Sequence, residues 1–142
     1  MNILYFLTPK SDTVYISENS TLRQVLEKMS HCGYSALPIV DDDGKYVGTI
    51  TEGDLLWEIK EKYTLTVKAA ESIALRDVRR RRDNEPVNVL SNMEGLIMKV
   101  MNQNFVPVVD DRGAFMGIIT RRAVIGYLYE KLGVAENNSD KK

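Results

Sequence analysis

The sequence predicts an α+β protein in which two β-α-β-β-α units pack about a pseudo-twofold axis. The first observation is an internal repeat: ALPIVDDDGKYVGTIT at residues 36–51 aligns without gaps on FVPVVDDRGAFMGIIT at residues 105–120. The second is a helical spacing of apolar residues on both sides of each copy. A unit of about sixty residues buries too little surface to be comfortably stable alone. We therefore expect the two units to share a core.

Each repeated segment predicts a β-hairpin. Two apolar strands flank an Asp-Asp-x-Gly turn, which begins at Asp41 in the first copy and at Asp110 in the second. Aspartate favours the start of a turn, and the glycine supplies the positive φ that such turns need.

A short strand and a helix are predicted before each hairpin, and a second helix is predicted after it. The short strands contain Val14 and Ile16 in the first unit, and Val87 and Val89 in the second. The helices are predicted from apolar stripes, which comprise Leu22, Val25, Leu26 and Met29; Leu55, Leu56, Ile59 and Tyr63; Leu96, Ile97, Val100 and Met101; and Val124, Ile125 and Leu128.

These elements divide the chain into four parts. The predicted boundaries are 1–64 for the first unit with its lead-in segment, 65–78 for a connector, 79–133 for the second unit and 134–142 for a flexible tail. The tail is assigned because GVAENNSDKK is polar and lies at a terminus, where chains often fray.

Composition excludes several classes of function. Hydrophobic residues make up 44% of the chain and charged residues 27%, which is typical of a folded globular domain. A net charge of −1 argues against binding to nucleic acids or membrane surfaces. No segment approaches the ~20 apolar residues of a membrane span, and the start MNILYFLTPK is a poor signal peptide. The single Cys32 allows no internal disulfide, so we expect a cytoplasmic protein.

The sequence gives no pattern for catalysis or metal binding. His31 and Cys32 are adjacent and have no second pair, so neither a metal site nor a cysteine nucleophile is expected. Paired carboxylates for acid–base catalysis are not evident either. We therefore expect a binding protein and disfavour an enzyme that acts on nucleotides. The run from Arg79 to Arg82 has two interpretations, a solvated face or a contact with phosphate.

The doubled pattern Pro-x-Val-Asp-Asp-x-Gly-x-x-x-Gly-x-Ile-Thr, with these flanking helices, resembles the cystathionine-β-synthase (CBS) domain family over roughly residues 3–130. The resemblance implies a tandem CBS pair, a Bateman module, which usually dimerises and binds adenine nucleotides in clefts between the repeats. It also implies a regulatory role in which a separate effector protein responds to the ligand. A structural homodimer with vestigial clefts is the alternative. The geometry of the dimer is left open.

The two repeats differ where the hairpin ends, at GTITEGD in the first and GIITRRA in the second. The family resemblance implies that Thr51 and Asp54 bind an adenine nucleotide such as AMP. A carboxylate can accept hydrogen bonds from both ribose hydroxyls, and a threonine hydroxyl can reach phosphate or ribose. By the family pattern, Val87, Asn88 and Phe105 would form the facing wall of this cleft, which we name the Asp54 cleft.

In the second repeat Ala123 replaces the aspartate, and two arginines appear. These cations oppose the dipole of the predicted helix unless they have an anionic partner. The segment Gly-Tyr-Ser-Ala-Leu-Pro at 33–38, combined with Thr-Arg-Arg at 120–122, resembles small stand-alone CBS proteins that bind cyclic di-AMP, although Asp12 replaces a lysine of those proteins. Arginine suits phosphate because it forms bidentate hydrogen bonds. The residues implied for this second cleft are Thr120, Arg121 and Arg122, with Thr13, Val14, Tyr34, Ser35 and Ala36 as the facing wall.

Overall fold

Two small sheets and five α-helices make up the computed structural model, which describes residues 2–62 and 66–140. The α+β class predicted from the sequence is confirmed. Each repeated segment forms an antiparallel hairpin with a helix before it and a helix after it.

The elements follow the predicted order, with additions at the lead-in segment and in the connector. The first part of the chain contains β1 (Thr8–Pro9), β2 (Ile16–Ser17), α1 (Leu22–Cys32), β3 (Ala36–Val40), β4 (Tyr46–Thr51), α2 (Glu52–Lys62) and α3 (Val67–Glu71). The second part contains β5 (Val87–Asn88), α4 (Met93–Val100), β6 (Phe105–Val109), β7 (Phe115–Thr120) and α5 (Arg121–Asp140).

Local signals in the sequence account for the ends of these elements. Helix α1 begins at a capping box, in which the Thr21 hydroxyl accepts from the Gln24 amide at 3.2 Å and the Gln24 side chain accepts from the Thr21 amide at 2.9 Å. It ends at Gly33, whose φ of 72° is left-handed. In the first hairpin turn, the Asp41 carboxylate accepts from the Asp43 and Lys45 amides.

The strands form one sheet for each repeat. The first sheet has the order β2-β3-β4, and the second has the order β1-β7-β6-β5. Strand β2 is parallel to β3, and β5 is parallel to β6. The two strands of each hairpin are antiparallel, and β1 is antiparallel to β7. The first core packs around Leu37 and Ile50, and the second around Val106 and Ile119.

The lead-in segment packs on the second repeat, not on the first to which the sequence assigned it. Strand β1 pairs with β7, and the buried Ile3 and Phe6 belong to the second core. The predicted connector is also part of the fold, because Leu75 and Val78 are buried in the first core. Apolar spacing predicts that a segment is buried, but it does not indicate which sheet covers it.

The helices after the hairpins bury less of their apolar stripes than the sequence predicts. In α2 Leu55 is buried but Leu56 is exposed, and Tyr63 lies outside the described residues. In α5 Val124 is buried, whereas Ile125 is exposed. Helix α5 also continues past the predicted boundary at 133, to Asp140, so the segment assigned as a tail contributes helical backbone.

Each hairpin contains a glycine where another segment of the chain crosses it closely. A Cβ at Gly117, whose φ is 142°, would lie 2.1 Å from the backbone carbonyl oxygen of Thr8. A Cβ at Gly48 would lie 2.7 Å from both Arg80 and Asp83. The contact at Gly117 is with backbone, so this crossing requires glycine, whereas the contacts at Gly48 are with side chains that would have to move.

A hydrogen-bond network around Tyr46 joins the first hairpin to the segment that enters the second repeat. The Tyr46 hydroxyl donates to the Asn84 carbonyl at 2.7 Å and shares a hydrogen bond of 2.6 Å with the Thr49 hydroxyl. The Thr49 amide donates to Asp83 at 2.9 Å. Burial raises the pKa of Tyr46 to about 12, because ionisation would leave a charge poorly solvated.

The substitution Gly117→Ala is expected to lower the free energy of unfolding by about 3 kcal/mol, because the backbone of β1 would have to shift. Gly48→Ala is expected to cost less, about 1 to 2 kcal/mol, because the Arg80 side chain can move away at the loss of its hydrogen bonds. Gly53→Ala is the control, since its nearest neighbour would be a side-chain oxygen at 3.7 Å. Urea unfolding measures all three, and equal effects would contradict the crossing at Gly117.

The raised pKa of Tyr46 gives the fold a specific alkaline sensitivity. In the unfolded chain tyrosine ionises near pH 10, whereas the folded protein holds the proton until about pH 12. Its contribution to stability is therefore complete below pH 10 and is lost between pH 10 and 12. The stability difference between the wild-type protein and Tyr46→Phe should shrink across that window by about 1 to 2 kcal/mol, after allowance for partial exposure. A difference that stays constant from pH 8 to 12 would contradict the assignment.

Candidate functional site

A cavity of about 270 Å³ lies between the two repeats, and we name it the open cleft. It brings together the five residues that the sequence predicted for one wall of the second cleft, and it adds Thr120 from the opposite wall. Phe105, which was predicted for the other cleft, also lines it. The complete lining comprises Thr8, Asp12, Thr13, Val14, Tyr34, Ser35, Ala36, Leu37, Pro38, Asn104, Phe105, Ile118 and Thr120.

One wall of the open cleft is held by the first repeat. The Thr13 hydroxyl donates to the carbonyls of Thr8 and Pro9, at 3.2 and 2.8 Å, so it fixes the turn that precedes β2. The Ser35 carbonyl accepts from the Glu52 amide at 2.9 Å, which ties the loop before β3 to the start of α2. These contacts position the backbone of the wall before any ligand is present.

The opposite wall is held by the start of α5. The Thr120 hydroxyl accepts from the Ala123 amide at 3.1 Å and so caps the helix. The Arg121 amide donates to the Asn104 carbonyl at 2.9 Å, which links the helix to the loop before β6. The lining is therefore largely apolar inside, with polar side chains at the mouth, where Tyr34 is 54% exposed.

Arg121 does not line the open cleft, although the sequence predicted it as a ligand-binding residue. Its guanidinium donates to the carbonyls of Val100 and Gln103, at 2.7 and 3.2 Å, where α4 ends. A cation at that end of a helix is favourable, because the carbonyls and the dipole are negative there. The arginine that opposes the dipole of α5 therefore satisfies the end of α4.

Arg122 lies in a groove beside the open cleft. The groove has a volume of about 560 Å³ and is lined by Tyr5, Phe6 and Tyr127 together with Arg122. Thr120 borders both the groove and the open cleft. The structure thus separates the two predicted arginines: neither lines the open cleft, and Arg122 lies in the adjoining groove.

The structure does not bring the predicted residues of the Asp54 cleft to an open site. Asp54 is 2% exposed, and its carboxylate accepts from the Thr51 amide at 3.0 Å and the Arg81 amide at 3.1 Å. Val87 is buried in the second core, and the Asn88 side chain contacts Asp111. The carboxylate predicted to bind ribose therefore holds the protein's own backbone.

Two side chains before β6 are likewise bonded to backbone groups of the protein itself. Gln103 is 4% exposed; its side chain accepts from the Glu85 amide at 2.7 Å and donates to the Phe105 carbonyl at 3.3 Å. Asn84 donates to the same carbonyl at 3.1 Å. Gln103 aligns with Tyr34 in the repeat, and the two side chains differ in burial: Gln103 is buried, whereas Tyr34 is exposed.

Two of the four consecutive arginines also have structural partners. Arg80 forms an ion pair with Asp83 at 2.8 Å, and the Arg81 guanidinium lies 4.2 Å from the centre of the Trp57 ring. Trp57 is thus a half-buried platform for a cation. The described residues contain no cluster of histidine, cysteine and acidic side chains that could hold a metal ion. They also contain no helix long and apolar enough to cross a membrane.

Comparison with known proteins assigns the family. The sequence pattern of the CBS domain matches residues 6–61 and 96–130, more than half of the chain. The cyclic di-AMP receptor B of Bacillus subtilis (strain 168) is 28% identical over 84% of this chain and 81% of its own length. The L-aspartate semialdehyde sulfurtransferase of Methanocaldococcus jannaschii is 38% identical over 59% of the chain, which spans only 15% of that enzyme. Other archaeal enzymes are matched over about a fifth of their length.

The fold has a close counterpart among solved structures. The structure of CbpB in complex with c-di-AMP matches with a TM-score of 0.82 and 24% identity, covering 100% of this chain and 91% of that one. Both repeats have the β-α-β-β-α arrangement that the sequence predicted, and the family pattern covers parts of each. The chain therefore belongs to the CBS domain family, as a tandem pair of CBS domains.

Proposed function

We propose that this chain is a regulatory module that binds one adenine nucleotide in the open cleft and signals to a separate effector protein. The observation that carries the proposal is the asymmetry of the two predicted clefts: one is a cavity between the repeats, whereas in the other Asp54 and Val87 are buried and the Asp54 carboxylate is bonded to backbone amides. Cyclic di-AMP is the first choice of ligand, because the Bacillus subtilis relative is named as its receptor and CbpB was solved with it. AMP, ADP and ATP are the other candidates.

The shape and chemistry of the open cleft suit a planar base. Val14, Ala36 and Ile118 provide apolar walls, and Phe105 provides an aromatic one. Small-molecule sites in proteins combine such a lining with a few polar groups that fix orientation. Here Ser35 and the other polar residues at the mouth would fill that role.

Phosphate groups would lie at the mouth, near the start of α5. The N-terminal end of this helix carries a partial positive charge, and Arg122 adds a full one. Asp12 lines the same cavity and would repel phosphate. The balance between these groups sets the affinity for anionic ligands, and it distinguishes this site from one built for an uncharged nucleoside.

The proposed output is a change in a homodimer that an effector protein recognises. A coupling of this kind between a ligand site and a protein contact typically amounts to about 1 to 3 kcal/mol.

We propose a binding module and not an enzyme, because the open cleft presents no nucleophile paired with a base. The single cysteine suits a reducing compartment, which supports a cytoplasmic location.

A structural dimer with vestigial clefts is the second candidate. One observation favours it: Asp54, the residue predicted to bind ribose, is buried and bonded to backbone amides of the protein itself. If the open cleft also failed to bind nucleotides, dimerisation would be the remaining role. Binding experiments separate the two candidates directly.

The open cleft is tested by filling it. Ala36→Leu places a larger side chain in the cavity and is expected to weaken nucleotide affinity by at least ~10-fold, about 1.4 kcal/mol. The wild-type protein at a hundred times the dissociation constant should gain about 2.7 kcal/mol of stability in thermal melting with cyclic di-AMP, AMP, ADP or ATP. Calorimetric titration should give one nucleotide per chain.

The matched control for that experiment is Asp54→Asn. We expect it to leave nucleotide affinity unchanged and to lower the free energy of unfolding by about 1 to 2 kcal/mol, because Asp54 holds backbone amides. Loss of binding in Asp54→Asn with normal binding in Ala36→Leu would place the ligand in the other cleft. No shift with any of the four nucleotides would favour the structural dimer.

The charges at the mouth are expected to act in opposite directions. Arg122→Ala should weaken binding of cyclic di-AMP about fivefold, and Asp12→Asn should strengthen it by a similar factor, about 1 kcal/mol each. Both effects should decrease at high salt, because exposed charges are screened. Arg121→Ala is the comparison, since it should lower stability without changing affinity. Identical affinities in Arg122→Ala and the wild-type protein would exclude Arg122 from the site.

A further inference from the structure

A separate cavity of about 300 Å³ is bordered by helix α2 and by the run of consecutive arginines, and we name it the arginine cavity. Each of the two segments contributes three side chains. None of them lines the open cleft, and none was predicted for the Asp54 cleft. The arginine run therefore borders a cavity of its own. The complete lining is Trp57, Glu58, Glu61, Arg79, Arg80 and Arg81.

A cavity occurs at the equivalent place in the second repeat, but its chemistry differs. Glu58 aligns with Tyr127, which lines the groove beside the open cleft. The lead-in segment completes that groove with Tyr5 and Phe6, whereas arginines complete the cavity in the first repeat. The position of the cavity is thus a property of the repeated fold, and its arginines are specific to one copy.

Arg81 is held in place without using the hydrogen-bond donors of its side chain. Its backbone amide donates to Asp54 at 3.1 Å, and its guanidinium lies over Trp57, 4.2 Å from the centre of the ring. A guanidinium that lies over an aromatic ring keeps the N–H groups at its edge available for other partners. Within the part of the chain that the structure describes, these N–H groups form no ion pair and no hydrogen bond.

Two of the charged side chains of the lining are neutralised by residues of the protein itself. Glu58 is 4% exposed and forms an ion pair with Lys62 at 2.7 Å. Arg80 forms an ion pair with Asp83 at 2.8 Å. Neither of these charges is therefore left for a ligand to balance.

The other three charged side chains of the lining leave one positive charge in excess. Arg79 and Arg81 are cations and Glu61 is an anion, and none of the three has an ion-pair partner within residues 2–62 and 66–140. Glu61 is exposed, so solvent and salt screen its repulsion of an anion. Two guanidinium groups with free donors thus border one cavity, which suits an oxyanion.

We propose that the arginine cavity binds the phosphate or pyrophosphate group of a small anion, held by Arg79 and Arg81. Arginine forms bidentate hydrogen bonds with phosphate oxygens. A phosphate group has more acceptor oxygens than a carboxylate, so it can accept from two guanidinium groups at once. Trp57 fixes the position of one of them before the anion arrives, which lowers the entropy that binding costs. The site does not depend on the nucleotide proposed for the open cleft.

Trp57 is the only tryptophan of the chain, so its fluorescence reports directly on the arginine cavity. Titration of the full chain with pyrophosphate at constant ionic strength should give a saturable change in this fluorescence, and calorimetry should give one anion per chain. Succinate, which carries two carboxylates, should bind at least about fivefold more weakly. The absence of saturable binding in calorimetry, or equal affinity for succinate, would overturn the proposal.

Two alanine variants test which arginines hold the anion. Arg79→Ala should weaken pyrophosphate affinity about tenfold, because it removes charge-assisted hydrogen bonds. Arg82→Ala is the matched control: it removes the same charge from the same run, but Arg82 does not line the cavity, so affinity should change by less than about twofold. Glu61→Gln should strengthen binding about threefold, because it removes a repulsive charge. Equal losses in the two alanine variants would indicate general attraction to a basic surface and overturn the site.

A further comparison separates this site from the open cleft. Arg79→Ala should leave the melting shift with cyclic di-AMP unchanged, because Arg79 lies outside the lining of the open cleft. A pyrophosphate response that persists in Arg79→Ala but is lost in Ala36→Leu would place the anion in the open cleft and overturn the arginine cavity as a site. Failure of either proposal leaves the other standing, because the two rest on different residues.

Discussion

The fold depends on two places where a chain segment crosses a hairpin at a glycine. The segment before β2 lies on Gly117 of the second repeat, and the segment before β5 lies on Gly48 of the first. Each repeat is thus completed by a segment that leads into the other repeat. At Gly117 a Cβ would meet backbone, and at Gly48 it would displace the Arg80 side chain, so a glycine at each position lets the crossing segment lie close to the hairpin.

The two repeats have the same backbone arrangement, but aligned residues at the two predicted clefts have different surroundings. Tyr34 stays at the mouth of the open cleft, whereas the aligned Gln103 is buried and bonded to backbone groups. Asp54 follows the same logic, because its carboxylate is used by the amides of Thr51 and Arg81. A buried polar group must be paired, and here the protein supplies the partners that a ligand would otherwise provide. Symmetry of the repeat therefore does not imply symmetry of function.

Helix α5 combines three roles on three faces. Its first turn contacts the open cleft through Thr120, its buried face completes the second core through Val124, and a third face exposes the apolar side chains of Ile125, Leu128, Tyr129 and Leu132. Arg121 adds a fourth connection, because it satisfies the carbonyls that end α4. A shift at the start of this helix would be transmitted along it to the exposed apolar face, which is the physical basis of the regulatory role proposed here.

The sequence by itself determined the class of fold and the hairpins, because repeats, turn glycines and apolar spacing are local signals, whereas Thr13, Tyr34 and Ser35 were implied by the family resemblance. It also gave the helices, although in α2 and α5 it overestimated how much of each stripe is buried. Only the tertiary structure decided that Ile3 and Phe6 complete the second core, that Arg121 caps a helix and that Asp54 is closed off. These features depend on which distant segment lies beside a residue. Contacts between distant segments do not produce a regular spacing of apolar residues along the sequence, so they cannot be predicted from it.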